Sequence, residues 1–161
     1  MLKKIKPYVL PYAVGISIPL LVGLLSAFLT RGNMNIYGEV NTPPLSPPAW
    51  LFPVAWSVLY VLMGISSAMV YLSRGESGAE AKRGLYYYAL SLVFNFGWSI
   101  IFFNVESFLF AFIWLLFLLY FIIRYVICYA KVKPIAAYLQ IPYVLWVAFA
   151  GYLNFGIYLL N

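Results

Sequence analysis

The sequence falls into five long, continuously apolar runs that are separated by short polar segments. A helix needs about 20 apolar residues to cross the hydrocarbon core of a bilayer, and each run has about that length. Because 65% of the residues are hydrophobic and 9% are charged, a soluble globular domain is excluded. The runs lack the period of two that a membrane β-barrel requires. The sequence therefore predicts an all-α membrane protein, a five-transmembrane-helix bundle in a single domain, 1–161, with spans at 8–29, 49–72, 85–103, 108–130 and 134–160.

The positive charges are concentrated on one side of the predicted membrane. The net charge is +6, and nine of the ten basic residues share that side: Lys3, Lys4, Lys6, Arg74, Lys82, Arg83, Arg124, Lys131 and Lys133. Arg31 lies on the other side. By the positive-inside rule, the N-terminus is predicted to be cytoplasmic and the C-terminus outside. We expect an integral protein of the bacterial cell membrane, in which the charge sets topology and does not indicate a nucleic-acid partner.

Several kinds of chemistry are excluded by the residue types that the sequence lacks. There is no histidine, so Ser-His catalysis, histidine-ligated metals and histidine-ligated haem are excluded. The four glutamates fall in loops or at helix ends, which leaves no acid pair at membrane depth. The lone Cys128 forms neither an internal disulfide nor a cysteine cluster, and we expect no metal site. The remaining indoles, phenols and amides suit a large, flat, mostly apolar ligand with a polar edge.

Helical spacing places many of these polar and aromatic residues on common faces. On the third span the separations are four, three and four residues, which keep to one face: Ser91, Asn95, Trp98 and Phe102. The second and fifth spans carry similar stripes: Pro53, Trp56, Tyr60 and Gly64, and Trp146, Ala150 and Leu153. Two interpretations are open. Either these side chains converge on a ligand cavity, or they serve ordinary membrane helix packing, in which small residues permit close approach and amides bond across helices.

Three ordered motifs resemble the TspO/MBR family of tryptophan-rich sensory proteins and translocator proteins (the peripheral-type benzodiazepine receptor). The motifs are Pro47-Pro48-x-Trp50-x-x-Pro53-x-x-Trp56-x-x-Leu59-Tyr60-x-x-Met63-Gly64, Asn95-x-x-Trp98-Ser99-x-Ile101-Phe102-Phe103 and Pro142-Tyr143-x-x-Trp146-x-x-Phe149-Ala150-x-x-Leu153-Asn154. The resemblance implies a five-helix bundle, commonly a homodimer, with a ligand pocket beneath the first long loop. It also implies hydrophobic ligands: porphyrins such as protoporphyrin IX or a haem-related molecule, sterols and synthetic benzodiazepine-site compounds.

The resemblance further implies which residues bind the ligand. Carried over by motif, they are Trp56, Tyr60, Asn95, Trp98, Trp146, Ala150 and Leu153, and the helical stripe of the third span adds Phe102. The proline-rich loop between the first two spans is predicted to form a lid that includes Tyr37, Pro47, Pro48 and Trp50. We expect Trp56 and Trp146 to face each other across one pocket. Trp114, on a span without a polar stripe, is expected to tolerate replacement by Phe.

This chain departs from the family pattern in its lid and near its C-terminus. Where the family often has Trp-Tyr and then Lys-Pro-x-Trp, the chain has Ile36-Tyr37 and Thr42-Pro43-Pro44-Leu45. Part of the lid's aromatic set and its cation are therefore missing at Ile36, Thr42 and Leu45. No Lys or Arg follows Leu153, although a proposed cholesterol motif of the animal members requires one. Cholesterol is therefore disfavoured as the ligand.

Three functions are compatible with these residues. The first is a membrane binding and sensing protein for porphyrin-like or other flat hydrophobic ligands, which would assist their transport or disposal. The second is an enzyme-like degradation of bound porphyrin by light and oxygen, with Trp56 and Trp146 as candidate catalytic residues. The third is a membrane scaffold with a vestigial pocket. We favour the first, because indoles bind and quench porphyrins without any chemical step.

Overall fold

The computed structural model describes residues 2–161, with side chains from Val9 onward. The helices follow in the order α1 (Leu2–Thr30), α2 (Ile36–Glu39), α3 (Leu51–Leu72), α4 (Gly78–Phe103), α5 (Phe108–Val132), α6 (Pro134–Tyr138) and α7 (Ile141–Leu160). Within these residues, five segments are long and apolar enough to cross a membrane. The predicted all-α membrane protein with five spans is thereby confirmed, and its environment is the lipid bilayer. We call the end of the bundle that carries loop 31–50 the lid end, and the end with turn 73–77 the basic end.

The third span begins earlier than its apolar run does. α4 starts at Gly78, whereas hydropathy predicts a start at residue 85. The extra turns are polar and include Glu80, whose carboxylate lies 3.4 Å from Arg83 and 3.8 Å from Lys131 of α5. Exposed pairs of this kind contribute little to stability. They do attach the polar start of α4 to the end of α5.

The fifth span consists of two helices. Pro142 lies in the first turn of α7, and proline has no N–H to donate to the preceding turn, so a regular helix does not continue from α6. Gln140 fills the break with a fully buried side chain. This side chain accepts a hydrogen bond from the Tyr125 hydroxyl at 2.6 Å and donates one to the Leu62 carbonyl at 3.2 Å. The break is therefore held by bonds to both α5 and α3.

The centre of the bundle is built around α5. Its inward face consists of residues separated by three or four positions, each at most 2% exposed: Leu115, Leu118, Ile122, Tyr125 and Tyr129. α4 and α7 pack against α5. In a membrane such packing is driven by van der Waals contact rather than by removal of surface from water. α5 thus acts as the support on which α4 and α7 present their own polar faces to α3.

A pair of glycines brings α1 against α3. A Cβ on Gly64 would lie 2.7 Å from the Gly15 carbonyl oxygen, and a Cβ on Gly15 would lie 3.1 Å from Cβ of Ala68. Only a residue without a side chain allows the two backbones to approach this closely, as at other membrane helix contacts. On α3, Gly64 lies between Tyr60 and Ser67. This contact, which agrees with the packing interpretation of the small residues, fixes where α1 lies.

Candidate ligand-binding site

Three helices meet at a buried chain of hydrogen bonds around Asn95. The Tyr60 hydroxyl of α3 donates to Asn95 Oδ1 at 2.9 Å, and Asn95 Nδ2 donates to the Tyr143 hydroxyl of α7 at 3.1 Å. Asn95 is 2% exposed. An amide in a membrane is costly unless its polar atoms have partners, and both ends of this amide have one. Asn95 therefore joins α3, α4 and α7, and both polar atoms of its side chain are hydrogen-bonded within the protein.

A second polar link lies nearer the lid end. Trp98 Nε1 donates to Asn154 Oδ1 at 3.0 Å, and Asn154 Nδ2 donates to the Phe108 carbonyl at 2.8 Å. The Trp98 ring also packs on Phe102, with ring centroids 5.2 Å apart. Asn154 was not among the predicted site residues, although a lone amide at the end of the third motif is a signal for such a link. The indole N–H of Trp98 is thus already hydrogen-bonded, and only the face of the Trp98 ring is available for contact with a ligand.

Two cavities lie beside these links, and together they include six of the eight predicted ligand residues. The larger one, which we call the lid-end cavity, has a volume of about 220 Å³ between α1, α3 and α4, and its lining includes Trp56, Tyr60 and Trp98. The smaller cavity, of about 20 Å³, is lined on the side of α7 by residues that include Tyr37, Trp98, Phe102, Ala150 and Leu153. Asn95 and Trp146 line neither cavity.

Phe52 separates the two cavities and lines both. Its ring packs edge-on against Tyr37 of the lid, with centroids 4.9 Å apart, and against Trp146 of α7, at 5.9 Å. Sequence reasoning missed this residue. Its position four residues before Trp56, and therefore on the same face of α3, is the signal that identifies it. The side chain that divides the site thus belongs to the first turn of α3, directly after the lid.

The two indoles expected to face each other lie in different surroundings. Trp56 stacks on Tyr60 with centroids 5.5 Å apart, meets Tyr143 edge-on at 6.0 Å, and lines the lid-end cavity. Trp146 packs on Phe52, and its buried Nε1 has no hydrogen-bond partner among the described residues. The structure therefore does not bring Trp56 and Trp146 to one common cavity. Instead, Tyr143 lies against Trp56, and Phe52 lies against Trp146.

Two tyrosines hold the lid loop. The Tyr37 hydroxyl donates to the Pro47 carbonyl at 3.0 Å and so joins two parts of the loop. The Tyr152 hydroxyl of α7 donates to the Pro44 carbonyl at 2.8 Å and attaches the loop to the bundle. Burial raises the pKa of the Tyr37 hydroxyl, so this phenol stays protonated to a higher pH than a free tyrosine does. Trp50 is 65% exposed and lines neither cavity. Of the predicted lid residues, Tyr37 is the one that reaches the site; Pro48 is exposed.

Asparagine side chains hold the same loop near its start and at its middle. Asn104, in the turn between α4 and α5, donates to the Leu29 carbonyl at 3.1 Å and accepts from Asn33 Nδ2 at 3.0 Å. Further along, Asn41 N–H donates to Asn161 Oδ1 at 2.9 Å, and Asn161 Nδ2 donates to the Asn41 carbonyl at 3.0 Å. The loop is therefore held to the turn after α4 and to the residue that follows α7.

Trp114 has a polar partner that its sequence context does not reveal. Its Nε1 donates to the Phe94 carbonyl at 2.8 Å, and its ring stacks on the Phe94 ring with centroids 4.5 Å apart. A Cβ on Gly97 would lie 2.9 Å from the same indole. The partner is a backbone carbonyl of α4 and not a side chain of the α5 face that carries Trp114. Every residue has such a carbonyl, so the pattern of side chains could not reveal this bond. Tolerance of Trp114→Phe stays a prediction.

The chain is similar in sequence to several known proteins. The sequence profile of the TspO/MBR family matches residues 15–160. The chain is 36% identical over 154 residues to the tryptophan-rich protein TspO of Chlorobaculum tepidum. The aligned residues cover 95% of this chain and 97% of that protein. It is also 36% identical over 145 residues to the translocator protein of Bos taurus, covering 89% and 86%. Identity to protein CrtK of Rhodobacter capsulatus is 36% over 125 residues, 78% of each chain.

Proposed function

Because this chain belongs to the TspO/MBR family, we propose that it binds a flat, largely apolar, porphyrin-like molecule at the lid end of the bundle. In this proposal the protein acts as a membrane binding and sensing protein, which would assist the movement or disposal of its ligand. The observation that carries the proposal is the lid-end cavity, whose lining brings together Trp56, Tyr60 and Trp98. Aromatic faces of this kind stack on flat ligands, and such pairs prefer offset or edge-on contact.

The size of the cavities indicates how a ligand would enter. Ligand pockets usually measure about 300–1,000 Å³, and the lid-end cavity, at about 220 Å³, lies below that range. Moving the Phe52 ring would join it to the smaller cavity and would uncover Trp146. Phe52 stands at the junction of lid and α3 and contacts Tyr37 of the lid. Opening of the lid and enlargement of the pocket are therefore expected to occur together.

Two polar groups without a partner lie beside the proposed site. Ser26 lines the lid-end cavity and Trp146 packs on Phe52, and neither Ser26 Oγ nor Trp146 Nε1 has a hydrogen-bond partner among the described residues. A buried donor without a partner costs about 1–3 kcal/mol. In the proposal, a shift of the Phe52 ring would expose Trp146 Nε1 to an acceptor on the polar edge of the ligand.

The test is a titration of the purified protein in detergent with protoporphyrin IX, followed by porphyrin absorbance and tryptophan quenching. Trp56→Phe removes stacking area and is expected to cost about 1–2 kcal/mol, which weakens binding roughly five- to thirtyfold. Trp50→Phe is the matched control, since Trp50 is 65% exposed and lines neither cavity. Equal weakening by both substitutions would mean that the site is misassigned. Illumination of the complex in air is expected to bleach the porphyrin, whereas a discrete new chromophore would favour degradation.

A further inference from the structure

One positive charge lies on the lipid-facing surface of α5 without a counter-charge. Arg124 lies eight positions, about 12 Å, before Val132 at the end of α5, so its backbone lies within the hydrocarbon core. Its neighbours Tyr120 and Ile127 are 48% and 50% exposed, which shows that this face of α5 looks out to lipid. The ion pairs among the described residues all involve Glu80, and none includes Arg124. A charge at this depth is costly and is usually paired.

Two tyrosines hold the Arg124 guanidinium but do not neutralise it. Its central carbon lies 5.1 Å from the ring centroid of Tyr87 on α4 and 5.8 Å from that of Tyr120, and Arg124 Nη1 donates to the Tyr120 hydroxyl at 3.2 Å. Aromatic faces attract a cation through their quadrupole, but they carry no formal charge. A guanidinium has several N–H donors, and only this one has an acceptor among the described residues. The others are free to bind an anion from outside the protein.

Two more cations lie on the same outer face, nearer the basic end. Lys131 lies seven positions after Arg124 on α5, and Arg83 lies four positions before Tyr87 on α4, spacings that keep each pair on one helix face. Glu80 lies 3.8 Å from Lys131 and 3.4 Å from Arg83, and both cations are more than half exposed. This outer face of α4 and α5, which we call the Arg124 face, thus has three positive charges and one negative, a net charge of +2. Its charge is complementary to an anion.

We infer that the Arg124 face binds the phosphate of an anionic phospholipid from the leaflet at the basic end. The phosphate accepts two hydrogen bonds from the planar guanidinium, a geometry that arginine favours. The arginine side chain is long enough to swing from the two rings towards the head groups. The acyl chains lie against Ile123 and Ile127, which are 43% and 50% exposed. Basic sites between transmembrane helices are known to bind such head groups.

A lipid fits this face better than a dissolved anion does. A dissolved anion would have to leave water to reach Arg124, whereas a phospholipid already holds its phosphate at the membrane surface and its chains in the core. The positive-inside rule also predicts that the basic end faces the leaflet in which anionic lipids attract basic residues. None of the residues of the Arg124 face lines the lid-end cavity, so this inference is independent of porphyrin binding.

The test is native mass spectrometry of the full-length protein with phosphatidylglycerol and phosphatidylcholine that carry the same oleoyl chains. Both lipids contain a phosphate, but the choline group cancels its charge in the second. We expect the protein to retain phosphatidylglycerol in preference to phosphatidylcholine. Arg124→Gln should weaken phosphatidylglycerol binding about fivefold, the usual contribution of one basic residue beside anionic lipid, and should leave phosphatidylcholine binding unchanged. Equal retention of the two lipids by the parent protein would overturn the inference.

Arg74→Gln is the matched control, because Arg74 is also an arginine at the basic end that lies over a tyrosine. Its guanidinium carbon lies 3.7 Å from the Tyr71 ring centroid, and it donates to the Tyr71 carbonyl at 2.7 Å. This substitution removes the same charge from a different helix and should leave phosphatidylglycerol binding nearly unchanged. Equal weakening by Arg74→Gln and Arg124→Gln would mean that the total charge attracts the lipid, and would overturn the inference.

Two further variants separate lipid binding from a structural role of Arg124. Tyr120→Phe removes the acceptor of the Arg124 hydrogen bond but leaves the guanidinium, so the preference for phosphatidylglycerol should persist. Arg124→Lys keeps the charge without the planar fork, and its phosphatidylglycerol binding should lie between those of the parent and Arg124→Gln. Added phosphatidylglycerol should raise the unfolding midpoint of the parent more than that of Arg124→Gln. If Tyr120→Phe loses the preference as fully as Arg124→Gln does, the bond to Tyr120 is the role of Arg124 and the inference is overturned.

Discussion

Replacement of Asn95 by leucine tests the hydrogen-bonded centre of the site. Leucine keeps most of the side-chain volume but removes the acceptor of the Tyr60 hydroxyl and the donor to the Tyr143 hydroxyl. Two buried phenols then lose their partner in a region where little water is available. Each unsatisfied group costs about 1–3 kcal/mol, which gives an upper estimate of about 6 kcal/mol. In membranes the unfolded state also finds partners, and single hydrogen bonds average about 0.6 kcal/mol there. We therefore expect a loss of about 1–3 kcal/mol.

The stability of Asn95→Leu is measured by unfolding in mixed micelles with increasing sodium dodecyl sulfate, followed by circular dichroism. A second consequence concerns the ligand, because Trp56 stacks on Tyr60 and Tyr60 is oriented by the Asn95 carbonyl. Porphyrin affinity should therefore fall as well. Tyr60→Phe removes one of the two bonds, and adding it to Asn95→Leu should cost less than the sum of the single effects. Independent mutations add to within about 0.5 kcal/mol. If the free energy of unfolding of Asn95→Leu differs from that of the parent by less than this, the reasoning is refuted.

Three further predictions concern packing, topology and the lid. Gly64→Ala places a Cβ against the backbone of α1 and should lower the unfolding midpoint, whereas Gly75→Ala, with open space around it, should not. In intact cells, Val40→Cys should react with a membrane-impermeant thiol reagent and Gly78→Cys should not; the reverse pattern would invert the proposed topology. Saturating porphyrin should protect loop 31–50 from proteolysis, and equal cleavage with and without porphyrin would count against a lid.

The spans and their polar faces were predictable because both follow from local pattern. A run of about 20 apolar residues identifies a span without any knowledge of its neighbours, and a period of 3.6 residues places Asn95, Trp98 and Phe102 on one face. The partners across helices were not predictable. Spacing shows which way Asn95 points but not how near another helix lies. The sequence therefore predicted Asn95 as a ligand residue, whereas in the structure its side chain is bonded to Tyr60 and Tyr143.

Features that depend on backbone atoms or on packing between helices could not be predicted from the sequence either. The break between α6 and α7 depends on Gln140, whose amide is buried by bonds to residues far away in the chain. Trp114 bonds to a carbonyl, which no side-chain pattern displays. Phe52 divides the site, yet in the sequence it is one of thirteen phenylalanines in a chain rich in aromatic residues. Its role depends on the distance between the lid and α7, which only the assembled bundle determines.

The contact of Gly15 with Gly64 has a consequence for the size of the lid-end cavity. The two backbones touch at this point, so the contact fixes the spacing of α1 and α3. Eight residues further along α1, about two turns, Gly23 lines the lid-end cavity beside Tyr60 of α3. The width of the cavity is therefore set by a contact that no ligand in the cavity touches.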